Sequence, residues 1–444
     1  MTQGTLGEIL SQQPALEFDF GEYLLSTRYS AALTKRFAAF LGAMRAETGV
    51  NTKIRVAHAF ESGGLDYVPH YRSQRERGYS FDNLPLIARS DIRERPEQFV
   101  SSVLSSKLWR GKSHGTTGRP ADIFYSDEYY FDALYLPIRK AAAAYGLDEP
   151  FSHRVFAAGI GETGDFVLLD PTDSVGPYVE MGVDTANGKT ISRTIDFIRQ
   201  YRPAFVSSRP NLLLLLVEQL MSADLGDYKP VAVMSGGETL LPHLKTKIER
   251  TFDCPVINRY GMAEFGFIAS QCRHGYLHID ASAYHVEIVS DSGWPVGDDI
   301  VGQIVISGIG NAAMPLLRYN TGDIGALRRE PCGCGSCSPR LAHFGGREIP
   351  NLSLPTGGSF SPLLLTASIF DCFPEMEDFE RLQEAEGALV LSVELDEKAS
   401  DPIESLQSIR KFVEDRLPEG GITVNCRSVR FSRHGKRQRY KKVS

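Results

Sequence analysis

No apolar run in this sequence is long enough to cross a bilayer. The longest, Leu212 to Val217, is a fraction of the ~20 residues a spanning helix needs. The stretch from Met1 to Phe20 has several acids and no extended apolar core, so it does not read as a signal peptide. An excess of positive charge is missing too. The net charge of −7 offers nothing to nucleic acid or to an anionic membrane, and the one basic run, Arg427 to Lys442, lies at the C-terminus. Low-complexity tracts and internal repeats are absent. Together these lacks predict a cytoplasmic protein with small-molecule partners, no nucleic acid and no membrane.

Cysteine is sparse, and the count of seven is odd. Three of the seven crowd into Cys332-Gly-Cys334-Gly-Ser-Cys337, which in a large cytosolic chain suggests metal rather than disulfides. Cys254, Cys372 and Cys426 stand in predicted strand or helix surroundings and are expected in the core. Trp109 and Trp294, the only tryptophans, are expected to pack rather than to bind.

What is present is the composition of a globular protein, 42% hydrophobic and 23% charged. At 444 residues the chain exceeds one ordinary core and should divide into domains. Apolar residues recur at helical spacing over Tyr29–Thr48 and Ser126–Tyr145, with Phe81–Pro96 reading as a surface connection between them. From Val155 to Asn258 short apolar runs alternate with amphipathic stretches, for example Val231–Met234 followed by Pro242–Phe252. That rhythm predicts a mainly parallel, doubly wound α/β sheet. After His278 it changes to strands separated by Gly/Asp/Pro turns (His285–Val289, Val301–Ser307, Gly325–Arg328), which suits an antiparallel unit. Beyond Gly345 an α+β segment is expected, with strands at Phe379–Leu382, Ala388–Leu395 and Gly421–Val429 around a helix at Pro402–Arg416. The predicted domains are therefore 1–345 and 346–444.

Five polar patches lie along the chain. Ser113-His114-Gly115-Thr116-Thr117-Gly118-Arg119-Pro120 is a donor-rich glycine loop suited to a triphosphate, although it lacks the lysine of a G-x-x-x-x-G-K-[S/T] loop. Ser235-Gly236-Gly237-Glu238 closes a predicted strand ahead of a helix, where open α/β sheets bind ligands. Asn258-Arg259-Tyr260-Gly261-Met262-Ala263-Glu264 closes another, with a carboxylate fit for Mg²⁺. Arg318-Tyr319-Asn320-Thr321-Gly322-Asp323 offers an aspartate that could accept both hydroxyls of a ribose. Ser432-Arg433-His434-Gly435-Lys436 ends on a lysine that can neutralise phosphate charge.

In that order the patches resemble those of the adenylate-forming enzymes, and the stretch Leu84-Pro-Leu-Ile-Ala-Arg-Ser-Asp-Ile-Arg and the Cys-Gly-Cys-Gly segment resemble their phenylacetate–CoA ligase branch. The resemblance implies a large N-terminal adenylate-forming domain, with doubly wound sheets plus a β-subdomain, and a small mobile α+β C-terminal domain. It also implies a two-step reaction in which a carboxylic acid attacks ATP, giving acyl-AMP and pyrophosphate, before the acyl group passes to CoA. Carried over by residue, Ser113, Gly115, Thr116, Thr117, Gly118 and Arg119 would cradle the phosphates. Gly236, Gly237 and Tyr260 would border the adenine, with Glu238, Gly261, Met262 and Ala263 completing that bed. Asp323 would hold the ribose with Arg347 near it, Glu264 would bind Mg²⁺, and Lys436 would serve adenylation.

Cys272-Arg-His274-Gly-Tyr-Leu-His278 and the Cys332 cluster supply six candidate ligands for tetrahedral zinc. The branch pattern points to Cys272, His278, Cys332 and Cys334 as a structural site, with His274 and Cys337 as spares. A homodimer is left open. Three departures from the branch, His114 in the glycine loop, Glu348-Ile349 after Gly346-Arg347 and the segment Asn351–Ser361, motivate rival readings. In one, the same adenylation serves an amine or another nitrogen acceptor. In the other, the chain is a nucleotide-binding regulator without turnover.

Overall fold

The structure is a computed structural model. It describes residues 51–103, 108–112, 121–126, 129, 137–138, 141, 155–160, 166–169, 178–183, 188–220, 227–347, 352–353, 359–360, 369, 372–373, 375–383, 388–396, 401–415, 417, 423–431 and 440–442. Ser113–Arg119, Lys436, the expected helix at 29–48 and most of the one at 126–145 lie outside the described residues.

The strands, in chain order, begin with an antiparallel pair, β1 (Leu108–Lys112) and β2 (Asp122–Ser126). A sheet of twelve follows. Its first part contains β3 (Val155–Ile160), β4 (Phe166–Leu169), β5 (Tyr178–Val183), β6 (Phe205–Ser208), β7 (Ala232–Gly236) and β8 (Val256–Met262). Its second part contains β9 (Gly266–Gln271), β10 (Leu277–Ile279), β11 (His285–Val289), β12 (Gly302–Gly308), β13 (Leu316–Arg328) and β14 (Arg340–Arg347). The pair β15 (Leu352–Ser353) and β16 (Ser359–Phe360) is short. A four-stranded sheet closes the chain: β17 (Met376–Gln383), β18 (Leu389–Leu395), β19 (Val424–Ser428) and β20 (Tyr440–Lys442).

The twelve strands are ordered β11-β12-β13-β14-β10-β9-β8-β7-β6-β3-β5-β4. Neighbours from β5 through β3, β6 and β7 to β8 are parallel; from β8 to β11 every pair is antiparallel. The change of rhythm read from the sequence is therefore a change of strand direction inside one continuous sheet.

Crossover helices explain the parallel half. Gly188–Tyr201, Pro210–Leu220 and Pro242–Phe252 each link strands that run the same way. Proline stands first in two of them, where its missing N–H costs no hydrogen bond. The Pro210–Leu220 helix buries Leu212, Leu213, Leu214, Leu216, Val217 and Leu220. They pack with Val206, Val233 and Val256 of the sheet in one apolar cluster. Helix Pro242–Phe252 ends at Asp253 in the left-handed conformation (φ 46°), which turns the chain back into β8.

In the C-terminal part, Asp401 caps helix Pro402–Glu414 by accepting from the N–H groups of Ile403 and Glu404, each at 3.0 Å. Such a cap stabilises a helix by about 1 kcal/mol.

Three expectations need correction. The segment Phe81–Pro96 is not a surface connection. It has the short helical turns, but Phe81, Leu84, Ile87 and Ile92 are buried, because Ile87 forms a parallel bridge with Tyr319 of β13. Trp294 is 62% exposed rather than packed. Cys372 is exposed, whereas Cys254 is buried as expected.

Candidate functional site

The carboxyl ends of β7 and β8 lie side by side, with Gly236 opposite Arg259 in the parallel register. This is the crevice position of an open parallel sheet. Gly236 is buried, and a Cβ there would stand 3.0 Å from the Arg259 carbonyl oxygen and 3.2 Å from the Phe267 ring. Gly237 turns the chain at φ 82°, a conformation that favours glycine, and Glu238 follows half-buried. Gly261 is tighter still, since an added Cβ would meet the Gly266 carbonyl oxygen at 2.5 Å. Two strands thus approach as closely as backbones allow, leaving a flat rim beside Tyr260.

Tyr260 is buried, and its phenol donates to Asp323 Oδ2 at 2.8 Å. Asp323 is also buried, and its N–H donates to Thr321 Oγ1 at 3.0 Å. It pairs with Arg347 across the β13–β14 ladder, which brings the backbone of Arg347 beside it as the resemblance implied. Arg259, the residue before Tyr260, is buried on the opposite pleat. Its Nη2 donates to Ser207 Oγ at 2.6 Å, and its guanidinium carbon lies 3.7 Å from the Phe267 ring centroid.

Glu264 sits in the turn between β8 and β9, buried, with Oε1 accepting from Tyr319 OH at 2.8 Å. The turn is ringed by phenols. Tyr125 donates to the Ala263 carbonyl, while Tyr129, at 3.0 Å, and Tyr284 both donate to the Phe265 carbonyl. Met262 and Ala263 pack partly buried against the same apolar cluster. Sequence reading missed this collar, because the tyrosines at 125, 129, 284 and 319 share no spacing.

A second cluster lies beyond the far end of β9. Cys272, His278, Cys332 and Cys334 bring one ligand atom each within 4.8 Å of one another. Cys272 Sγ lies 4.0 Å from Cys332 Sγ, and Cys334 Sγ lies 3.4 Å from His278 Nε2. Two similar turns build it: Gly275 N–H donates to the Cys272 carbonyl and Gly335 N–H to the Cys332 carbonyl, both at 2.9 Å and both with glycine at positive φ. His278 Nδ1 lies 3.0 Å from the Ser338 carbonyl oxygen, so an Nδ1–H tautomer leaves Nε2 as an acceptor towards the thiols. Burial holds its pKa below the usual histidine value, favouring that neutral ring. A tetrahedral zinc with bonds of ~2.1–2.3 Å needs ligand atoms roughly 3.5–3.8 Å apart, so this donor set fits with slight contraction. His274 is exposed beside Gly333, and neither it nor Cys337 joins the group.

Residues 182–314 match the family described as AMP-binding enzyme, and the chain is similar to curated proteins of the phenylacetate–CoA ligase kind. It is 26% identical over 274 residues to the phenylacetate–coenzyme A ligase of Thermus thermophilus, covering 60% of each protein. To the phenylacetate–coenzyme A ligase of Escherichia coli it is 24% identical over 273 residues, covering 60% of this chain and 61% of that one. The matches thus span about 60% of the length of these curated relatives. Among solved structures, 2-hydroxyisobutyryl-CoA ligase with a bound acyl-adenylate superposes with a TM-score of 0.68 at 16% identity, covering 87% of this chain and 88% of the other. The fold is therefore that of the acyl-CoA ligases.

Proposed function

We propose that this chain is an ATP-dependent acid ligase that adenylates an aryl or arylacetic-type acid and passes the acyl group to CoA. The observation that supports it best is the convergence of Tyr260–Asp323 and Glu264–Tyr319 at the carboxyl end of the parallel strands. In the first half-reaction a carboxylate oxygen attacks the α-phosphorus of ATP, the bond to the bridging oxygen breaks, and pyrophosphate leaves. In the second, the thiol of CoA attacks the acyl carbon and AMP leaves. The acid is ionised at neutral pH, so the first step needs positioning and charge neutralisation rather than a general base.

Residue by residue, Ser113, Gly115, Thr116, Thr117, Gly118 and Arg119 hold the β- and γ-phosphates, and Lys436 serves adenylation. The adenine lies along Gly236, Gly237, Glu238 and Tyr260–Ala263. Asp323 accepts from the ribose hydroxyls, exchanging its Tyr260 contact for one or sharing it, with Arg347 alongside. Glu264 would hold Mg²⁺, which supplies charge neutralisation at the phosphates. Cys272, His278, Cys332 and Cys334 would hold a structural zinc that ties the β9–β10 turn to the β13–β14 loop. Residues 1–345 form the ATP- and acid-binding domain and 346–444 the mobile lid of a cytoplasmic enzyme. No helix among the described residues is long and apolar enough to cross a membrane.

The test is pyrophosphate release against a panel of aryl, arylacetic and short aliphatic acids, each with and without CoA. Release that depends on one acid and quickens with CoA is expected, and Lys436→Ala should abolish it. Acid-dependent release indifferent to CoA but stimulated by an amine would move the acceptor to nitrogen. No release with any acid, from protein shown to be folded, would sink the ligase reading.

A further inference from the structure

Arg318 lies at φ 49°, a backbone region where a residue with a Cβ is disfavoured. It sits in an interruption of the β12–β13 ladder. Ile306 pairs with Tyr319 and Gly308 with Leu316, so Leu317 and Arg318 together face Ser307 alone. That backbone region ordinarily favours glycine, which has no Cβ to clash. Here the residue is an arginine, and it is 4% exposed.

Its contacts account for the side chain. Nη1 donates to the Leu84 carbonyl at 2.8 Å and Nη2 to the Gly293 carbonyl at 2.9 Å, while Nε stands 3.4 Å from Glu287 Oε2. The backbone N–H donates to Ser307 Oγ at 2.8 Å. The carbonyl accepts from Ile87 N–H at 3.0 Å, and Asn320 N–H donates to the Ile87 carbonyl at 2.9 Å. Pairing of β14 with β13 ends at Asp323 opposite Arg347. Past that point the Leu84–Ile87 segment takes over a flank of β13, and it does so where Arg318 grips it. Tyr319, which holds Glu264, is the next residue, and Asp323, which holds Tyr260, lies further along the same strand.

We propose that Arg318 is a positioning residue for the nucleotide site. Its guanidinium fixes Leu84–Ile87 and the Gly293 turn against β13, and so fixes Tyr319 against Glu264 and Asp323 against Tyr260. The inference rests on the ligase reading above. An ordinary structural role would have a different signature, because glycine suits this backbone better than arginine.

The decisive variant is therefore Arg318→Gly, which relieves the backbone while removing the clamp and the charge that faces Glu287. In acid-dependent ATP–pyrophosphate exchange, its KM for ATP should rise about tenfold or more while the KM for the acid stays within about twofold. Arg318→Lys, which keeps one donor for a carbonyl, should recover part of the loss. Direct titration of each protein with Mg-ATP should give the same order. A folded Arg318→Gly protein with wild-type ATP affinity would overturn the inference. If that variant does not fold, Arg318→Lys decides alone, and unchanged ATP affinity in it has the same force. Wild-type protein that binds no ATP would instead sink the ligase reading, a result distinct from wild-type binding that Arg318→Gly shares.

Discussion

Tyr260 and Asp323 are hydrogen-bonded at 2.8 Å although their strands, β8 and β13, stand four places apart in the sheet. A flat sheet with ~4.8 Å between strands would hold them roughly 19 Å apart. The antiparallel half must therefore curl until β13 faces the end of β8, and this bond records the closure. Removing the phenol in Tyr260→Phe leaves a buried carboxylate one donor short, which should cost about 1–3 kcal/mol of stability. Asp323→Ala should raise the KM for ATP about tenfold or more, as a lost charged contact to hydroxyls does. Denaturant midpoints and ATP–pyrophosphate exchange separate the two effects, and unchanged ATP kinetics in Asp323→Ala would remove the ribose assignment.

Glu264→Gln should slow the Mg²⁺-dependent reaction at least ~10²-fold, since a neutral amide is a poor ligand for the cation that neutralises phosphate charge. The amide can still accept from Tyr319, so the melting temperature should hold. Tyr319→Phe is the companion: it frees the carboxylate to rotate and should cost rate less severely. Equal kinetics in wild type and Glu264→Gln, across a Mg²⁺ titration, would show that the metal binds elsewhere.

Purified protein should carry about one zinc per chain when prepared without chelators. Cys332→Ser should lose it and lower Tm by roughly 5 °C or more, because the site joins the Cys272–Gly275 and Cys332–Gly335 turns. Elemental analysis of both proteins gives the answer. Metal-free wild type with undiminished Tm would leave the four side chains as reduced, unliganded groups.

Stability should fall on the acid side. Burial pushes the pKa of His70 and of His285 down to about 4, against 6.5 for a free imidazole. Both rings are neutral when folded, and the unfolded chain takes up protons first. Stability is therefore constant above pH ~6.5 and is lost as pH falls towards ~4, by about 1–2 kcal/mol per histidine at pH 5 given their partial exposure. Glu287 acts in the opposite sense: burial raises its carboxyl above the ordinary range, ahead of the lowering effect of Arg318, so falling pH favours its native form. Urea midpoints at pH 7.5 and 5.0 should differ in wild type, and the gap should narrow in the His70→Gln, His285→Gln double variant. A gap of equal size in both proteins would place the proton uptake elsewhere.

Most of the parallel half was legible in the sequence, because buried parallel strands and crossover helices leave uninterrupted apolar runs such as Val231–Met234 and Leu212–Val217. Strands β9, β10 and β14 were not read. They are short or interrupted by glycine, and β10 and β14 find each other from far apart in sequence, as when Leu277 of β10 meets Leu341 of β14. The same distance hid the role of Phe81–Ile92, whose polar neighbours suggest a surface while its apolar residues are covered by β13 and β11. The family resemblance singled out Tyr260, Glu264 and Asp323, which the structure shows buried and hydrogen-bonded, and Cys272, His278, Cys332 and Cys334, which it groups. The phenol collar and Arg318 were not singled out, since a tyrosine or arginine in isolation carries no sign of which carbonyl it will reach.

The two halves of the twelve-stranded sheet also differ in how far the chain must travel to build them. From β11 to β14 each strand pairs with the next, apart from the long loop carrying Cys332, so closure there is local. From β5 to β8 the chain passes through a helix before each new parallel strand, so the contacts of β6, β7 and β8 wait for a crossover to form and dock. Local closure is the faster process. The antiparallel half should therefore protect its amides early in refolding, and the carboxyl edge of β8 is the seam where the slow half later joins it.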